Sequence, residues 1–76
     1  MTKRLADMKG GMRGTIVALE GGRGLQNHLR TRGLAEGKMA EVVASLPHGP
    51  MVVRVGATQV ALGRGMAARV LVEVDE

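Results

Sequence analysis

Residues Gly22 to Val43, GRGLQNHLRTRGLAEGKMAEVV, decide how the chain folds. Leu25 and Leu29 lie four apart, on one face of a helix. Gly33 stops that helix. With Gly33 as the left-handed residue just past the end, Leu34 falls where an apolar contact back to Leu29 is expected. Arg30 and Arg32 sit in the last turn, where cations suit the negative end of the helix dipole. A helix of about two turns is not stable alone in water, so Leu25, Leu29 and Leu34 must pack on something else. Gly37 ends the turn Leu34-Ala35-Glu36-Gly37 and favours a positive φ. From Lys38 the pattern changes to alternation, with Ala40 and Val42 on one face and Met39, Glu41 and Val43 on the other.

Working outward, the rest of the chain reads as short strands and tight turns. Gly14 to Leu19 (GTIVAL) is β-branched and apolar on both faces, as an interior strand would be. Upstream of it, Leu5 and Met8 tuck in from a helical turn or an entry strand over Thr2 to Lys9. Gly10, Gly11 and Gly14 bracket a bend. Downstream of Lys38–Ser45, two prolines and a glycine make Leu46 to Pro50 a loop. Met51 to Val55 and Gln59 to Leu62 form a hairpin about Gly56-Ala57-Thr58. Gly63 to Ala68 is a single turn. Arg69 to Val74 closes the set with Val70, Val72 and Val74 on one face, and the tail Asp75-Glu76 frays. Five strands, one helix between the first two, and many glycines give a mainly β domain. A small, strongly bent barrel fits best, because closure removes exposed strand edges.

Composition narrows the chemistry. The 76 residues suffice for one domain, residues 1–76. A chain this short buries roughly 60% of its unfolded surface. Hydrophobic residues make up 45%, none of them aromatic, so the core is Val, Leu, Met, Ala and a single Ile. With no Cys there is no disulfide framework and no thiolate metal site. No apolar run approaches a membrane span or a secretory signal, which points to a cytoplasmic protein with no direct membrane insertion. The net charge of +4 favours acidic partners.

The residues do not assemble an enzyme. Ser45, Thr2, Thr15, Thr31 and Thr58 lie outside any nucleophile-elbow pattern. Asp7, Glu20, Glu36, Glu41, Glu73, Asp75 and Glu76 are scattered. Gly33 to Met39 falls short of a phosphate-binding loop by one residue of spacing and by Met39 where Ser or Thr would hold magnesium. His28 and His48 lie in different elements and supply too few ligands for a metal. Met12, Met39, Met51 and Met66 read as core filling. The expectation is therefore no catalytic residue, no cofactor and no metal ligand. Arg23, Arg30, Arg32 and Lys38 could form one basic face for a nucleic acid. Without aromatic platforms such binding would be led by phosphate alone, and no nucleic-acid partner is expected.

In order and spacing these features resemble one family over nearly the whole chain. Leu5 stands ahead of Gly11. Gly14-Thr15-Ile16-Val17 leads to Gly21-Gly22, then to Leu29, Gly33-Leu34 and Gly37. Pro47, Gly49 and Pro50 follow, then Val60-Ala61-Leu62, Ala67, Val70 and Val72. The chain is similar to the ferrous iron transport protein A (FeoA-like) family. The resemblance implies a five-stranded SH3-like barrel with a helix between the first two strands. It implies a non-enzymatic, cytoplasmic accessory protein of bacterial ferrous iron uptake, a protein-interaction or regulatory module. The implied partner is the membrane iron transporter with its cytosolic GTP-binding domain. Polar positions around the helix, Arg23, Asn27, His28, Arg30 and Arg32, are the candidate docking residues. Met39 and Val43 could pair two copies weakly. The chain departs from the family pattern at Arg32, at Gly63-Arg64-Gly65-Met66 and in a shorter Leu46–Pro50 loop, which bears on partner choice. The same barrel occurs as the C-terminal domain of metal-dependent repressors. A freestanding relative of that domain, or a small barrel binding nucleic acid through phosphate, are the alternatives.

Overall fold

Leu34 donates its backbone N–H to the Leu29 carbonyl at 3.1 Å, and Gly33 donates to Arg30 at 3.0 Å. With Gly33 at φ +96°, this is the paired closure expected of a glycine-terminated helix. It ends α1, Arg23–Thr31. Leu29 and Leu34 are both fully buried. Each contributes about 1.5–3 kcal/mol of apolar burial, which two and a half turns of helix need. Leu25 is half-buried and the rest of the helix is largely exposed.

The computed structural model of the protein describes residues 1–75. The elements in order are β1 (Thr2–Arg4), a 3-10 turn (Leu5–Asp7), β2 (Arg13–Leu19), α1, β3 (Met39–Ser45), β4 (Met51–Val55), β5 (Thr58–Leu62), α2 (Arg64–Ala67) and β6 (Val70–Val74). The strands form one antiparallel sheet in the order β1-β6-β2-β3-β4-β5. The Thr2–Lys9 stretch is thus both things its sequence allows, a short strand and then a helical turn. It adds a sixth strand, β1, on the far side of β6. Leu5 and Met8 follow it into the core. The single turn over Gly63–Ala68 is α2. Glu76, half of the tail expected to fray, lies outside the described residues.

Alternate residues of every long strand point inward. Ala40, Val42, Met51, Val53, Val55, Val60, Leu62, Val70, Val72 and Val74 are buried, and no polar or charged residue joins them. Two bulges break this alternation. The β2–β6 register shifts between Ile16 and Ala18, and the β3–β4 register between Val42 and Ala44. Each inserts one residue, which is left outside: Val17 is 46% exposed and Val43 38%. The inserted residue also moves the next inward position by one, so Leu19 faces the core beside Val70. The reading of Gly14–Leu19 as buried on both faces is corrected at Val17 for this reason. Bulges raise local twist and bend the strand, which curls the sheet. Met39, read as core filling, is 55% exposed because it pairs with Thr15 on the outer face. Met8 and Met51 fill the interior, and Met12 and Met66 pack against it.

One close approach requires a glycine. A Cβ on Gly14 would overlap the Glu73 carbonyl oxygen and lie 2.7 Å from Val72 Cγ1. Gly14 pairs with Val74 on one side and Ala40 on the other, so it lets the backbone of β6 come close to β2 where three strands meet.

Candidate docking surface

The helix positions named in the sequence divide between two flanks. At 100° per residue, Arg23 and Asn27 lie on the outward face, opposite Leu25 and Leu29. Both are exposed. Arg30, seven residues after Arg23, lies within about 20° of it on the same side. Its Nη2 donates to both carboxylate oxygens of Glu36 at 3.1 Å, and its Nη1 to Gln26 at 3.4 Å. His28 and Arg32 lie on the other flank, where Arg32 Nε donates to His28 Nε2 at 3.1 Å. Arg23 and Arg32 are nine residues apart and therefore half a turn out of phase. The four cations Arg23, Arg30, Arg32 and Lys38 thus do not share one face. Arg30 and Lys38 come together, while Arg23 and Arg32 point to opposite sides of α1.

Two adjoining grooves flank the β4–β5 hairpin. The larger, about 420 Å³, lies between the end of α1 and the hairpin and is lined by Arg30, Ala35, Lys38, Val55, Ala57 and Thr58, among others. The smaller, about 230 Å³, is lined by Arg13, Met39, Glu41, Arg54 and Gly56. Gly56, at φ +62°, is the first residue of the two-residue turn and borders both grooves. Arg13 and Arg54 were not among the candidates read from the sequence. The signal was their register: Arg13 pairs with Glu41, and Glu41 with Arg54, in one outward row across three strands. Arg54 Nη1 donates to Glu41 at 3.4 Å.

Two other arginines hold the fold together. Arg64 Nη1 donates to the Ala6 carbonyl at 2.8 Å, and Nη2 to Ser45 Oγ at 2.8 Å and to the Leu46 carbonyl. Its Nε is buried without a hydrogen-bond partner. Arg4 bridges Glu20 at 2.6 Å and the Ala68 carbonyl at 2.7 Å. Together they tie the 3-10 turn, α2 and the ends of β2 and β3. The Gly63–Met66 stretch, flagged as a change of charge toward a partner, spends its one cation inside the molecule.

Ionisation follows these contacts. The Glu36 carboxyl is held below its usual range, first by a backbone N–H of its own residue and then by Arg30. Glu73 is lowered by the N-terminal ammonium, then by Thr2. Arg4 is raised by its hydrogen bond with Glu20. Among the described residues no three His, Cys, Asp or Glu side chains gather closely enough to hold a metal ion. Among them, too, no helix is long and apolar enough to cross a membrane.

A curled antiparallel sheet with paired bulges and a helix across one connection defines a small SH3-like barrel. The same architecture appears in a manganese-dependent transcriptional repressor, with TM-score 0.89 over 97% of this chain and 42% of that one. At 18% identity this is a likeness of fold alone. The chain belongs to the FeoA domain family, whose model matches residues 3–74. It is 35% identical to an iron uptake regulatory protein, FeoA, known from a crystal structure. That match has TM-score 0.95 and covers 99% of this chain and 100% of the other. FeoA of Stenotrophomonas maltophilia, crystallised with zinc and described as a prokaryotic SH3 domain protein, is 28% identical. Its TM-score is 0.76, over 99% of this chain and 89% of that one. No curated protein sequence matches the chain significantly.

Proposed function

We propose that the protein is a non-enzymatic accessory module of bacterial ferrous iron uptake. In this reading residues 1–76 act as one cytoplasmic unit that docks on the cytosolic GTP-binding domain of the membrane iron transporter. The observation that carries the reading is the match to the FeoA domain over residues 3–74, together with superposition on an FeoA structure along 99% of the chain. The outward face of α1 supplies the contact. Arg23 and Asn27 are exposed and outside every ion pair among the described residues, so a partner can take them without breaking one of these bonds. Arg30 and Arg32 already hold Glu36 and His28. They flank the contact and fix its border, with His28 exposed beside Arg32.

Binding of the purified protein to that GTP-binding domain, with a GTP analogue, with GDP and without nucleotide, tests the proposal. Affinity that depends on nucleotide supports a regulator, and equal affinity in all states a scaffold. Arg23→Glu combined with Asn27→Ala should weaken binding at least tenfold while leaving the unfolding midpoint unchanged. Unchanged affinity removes α1 from the interface, and no binding in any state overturns the proposed partner.

A further inference from the structure

The β4–β5 hairpin is bordered by cations that the neighbouring carboxylates Glu36 and Glu41 do not fully use. Of the four basic residues lining the two grooves, Arg30 is paired with Glu36 and Arg54 with Glu41. Lys38 in the larger groove and Arg13 in the smaller have no ion-pair partner among the described residues, and both are exposed. They lie on either side of Gly56, which borders both grooves. Between them the lining mixes apolar and polar residues: Val55, Ala57 and Ala35 beside Thr58 on one side, Met39 beside Glu41 on the other.

We infer that this pair of grooves is a docking surface for an acidic, extended segment of a partner protein, laid across the hairpin turn. An extended chain places every second side chain on one face, roughly 6.6 Å apart. Such a segment can set carboxylates on Lys38 and Arg13 and small apolar side chains on the lining between them. The chemistry disfavours a nucleic acid. Only Lys38 and Arg13 are left unpaired among the described residues, too few to track a continuous row of phosphates. No aromatic side chain offers a base a platform. A second copy of the chain is disfavoured by its net charge of +4, which would bring like-charged faces together.

The inference rests on reading the protein as a docking module but concerns a different surface from the outward face of α1. An N- and C-terminally blocked nonapeptide whose odd positions read Glu, Val, Glu, Val, Glu, with serine at every even position so that glutamate and valine share one face, titrated into ¹⁵N-labelled protein at about 50 mM salt, tests it. The amide signals of Arg13, Lys38, Gly56 and Ala57 should shift, and the same peptide with lysine for glutamate should shift none of them. The double variant Arg13→Glu and Lys38→Glu should weaken binding at least tenfold with its spectral dispersion intact. Arg13→Gln with Lys38→Gln should give a smaller loss. Shifts confined to α1, or none at all, overturn the inference. So does a single-stranded RNA decamer that shifts the hairpin signals at lower concentration than the peptide. The Arg13 and Lys38 variants leave Arg23 and Asn27 untouched, and the α1 variants leave the residues lining the grooves untouched. A failure of one surface is therefore distinguishable from a failure of the other.

Discussion

Replacing Arg64 by alanine should destabilise the protein although the residue belongs to a four-residue helix at the surface. Three hydrogen bonds leave its guanidinium, to Ala6, Ser45 and Leu46, and they join three segments distant in sequence. A hydrogen bond from a charged donor is worth about 1.5–3 kcal/mol when well buried. Two of these are only part-buried and one is exposed, and the buried Nε is unmatched, which offsets part of the gain. The net loss for Arg64→Ala is then about 2 kcal/mol. Against a total of about 4–11 kcal/mol for a domain of this length, that is a large fraction. With a urea slope of about 1 kcal/mol per molar, the midpoint should fall by about 2 M. Arg64→Lys keeps the charge but loses the planar fork that reaches several oxygens at once, so it should recover about half of the loss. Arg23→Ala, on the open face of α1, is the control and should stay within about 0.5 kcal/mol of the parent. A midpoint for Arg64→Ala within about 0.5 M of the parent would refute the clamp. So would full recovery with lysine, which would show that charge alone matters.

Three further outcomes follow from the geometry. Leu34→Ala, at a fully buried position, should cost about 2–5 kcal/mol and raise hydrogen exchange in α1 more than in β2 or β6; uniform exchange would show that the helix is not held by this leucine. Gly33→Ala meets no neighbour within 4 Å and pays only for its φ of +96°, about 1–2 kcal/mol. Gly14→Ala, whose Cβ would overlap the Glu73 carbonyl, should be the worse of the two by urea unfolding, and the reverse order would contradict the close strand approach. Glu36 and Glu73 both have folded pKa values below their ordinary ones. Their stabilisation is therefore present above the unfolded carboxylate range, near pH 4.3, and lost as pH falls through the lowered folded values. Urea midpoints from pH 7 to pH 3 should drop in that acid window, and Glu36→Gln with Glu73→Gln should flatten the drop.

The parts of the fold legible in the sequence were those set by local stereochemistry. Gly33 and Leu34 announced the end of α1 because a positive φ and a buried leucine have few other uses in that order. Alternation in β3 to β6 assigned inward and outward faces because period two has no competing reading in valine-rich segments. The bulges at Val17 and Val43 were not legible. A bulge leaves the composition of a strand unchanged and shows only against the register of its partner. Met39 was misplaced for a related reason: its apolar neighbours in sequence are not its neighbours across the sheet. Arg64 was read from its charge, whereas its partners lie 58, 19 and 18 residues away. The α1 candidates were legible as exposed residues. Their division into two sides follows from 100° per residue, whereas the bonds from Arg30 to Glu36 and from Arg32 to His28 are not fixed by spacing alone.

The division of labour among the arginines bears on how docking can be studied at all. Among the described residues no charged residue is buried, so the interior is packed by Val, Leu, Met, Ala and Ile. Arg4 and Arg64 add the seam between the 3-10 turn and α2. Arg23 and Lys38 belong to neither the core nor the seam, so reversing their charge changes the field of the surface and little else; Arg13 stands opposite Glu41, so there the comparable change is neutralisation by Arg13→Gln. A loss of partner binding at these three positions can therefore be read as contact, at constant stability. The same loss at Arg64 cannot, because it would come with a displaced α2 and a loosened Leu46 loop. Substitution at Arg30 is intermediate, since it also frees Glu36 and so adds a negative charge to the groove that Lys38 faces. Arg30→Gln and Arg30→Gln with Glu36→Gln should for that reason differ. The single change leaves an unmatched carboxylate that repels an acidic segment, whereas the pair removes both charges and should restore most of the binding to it.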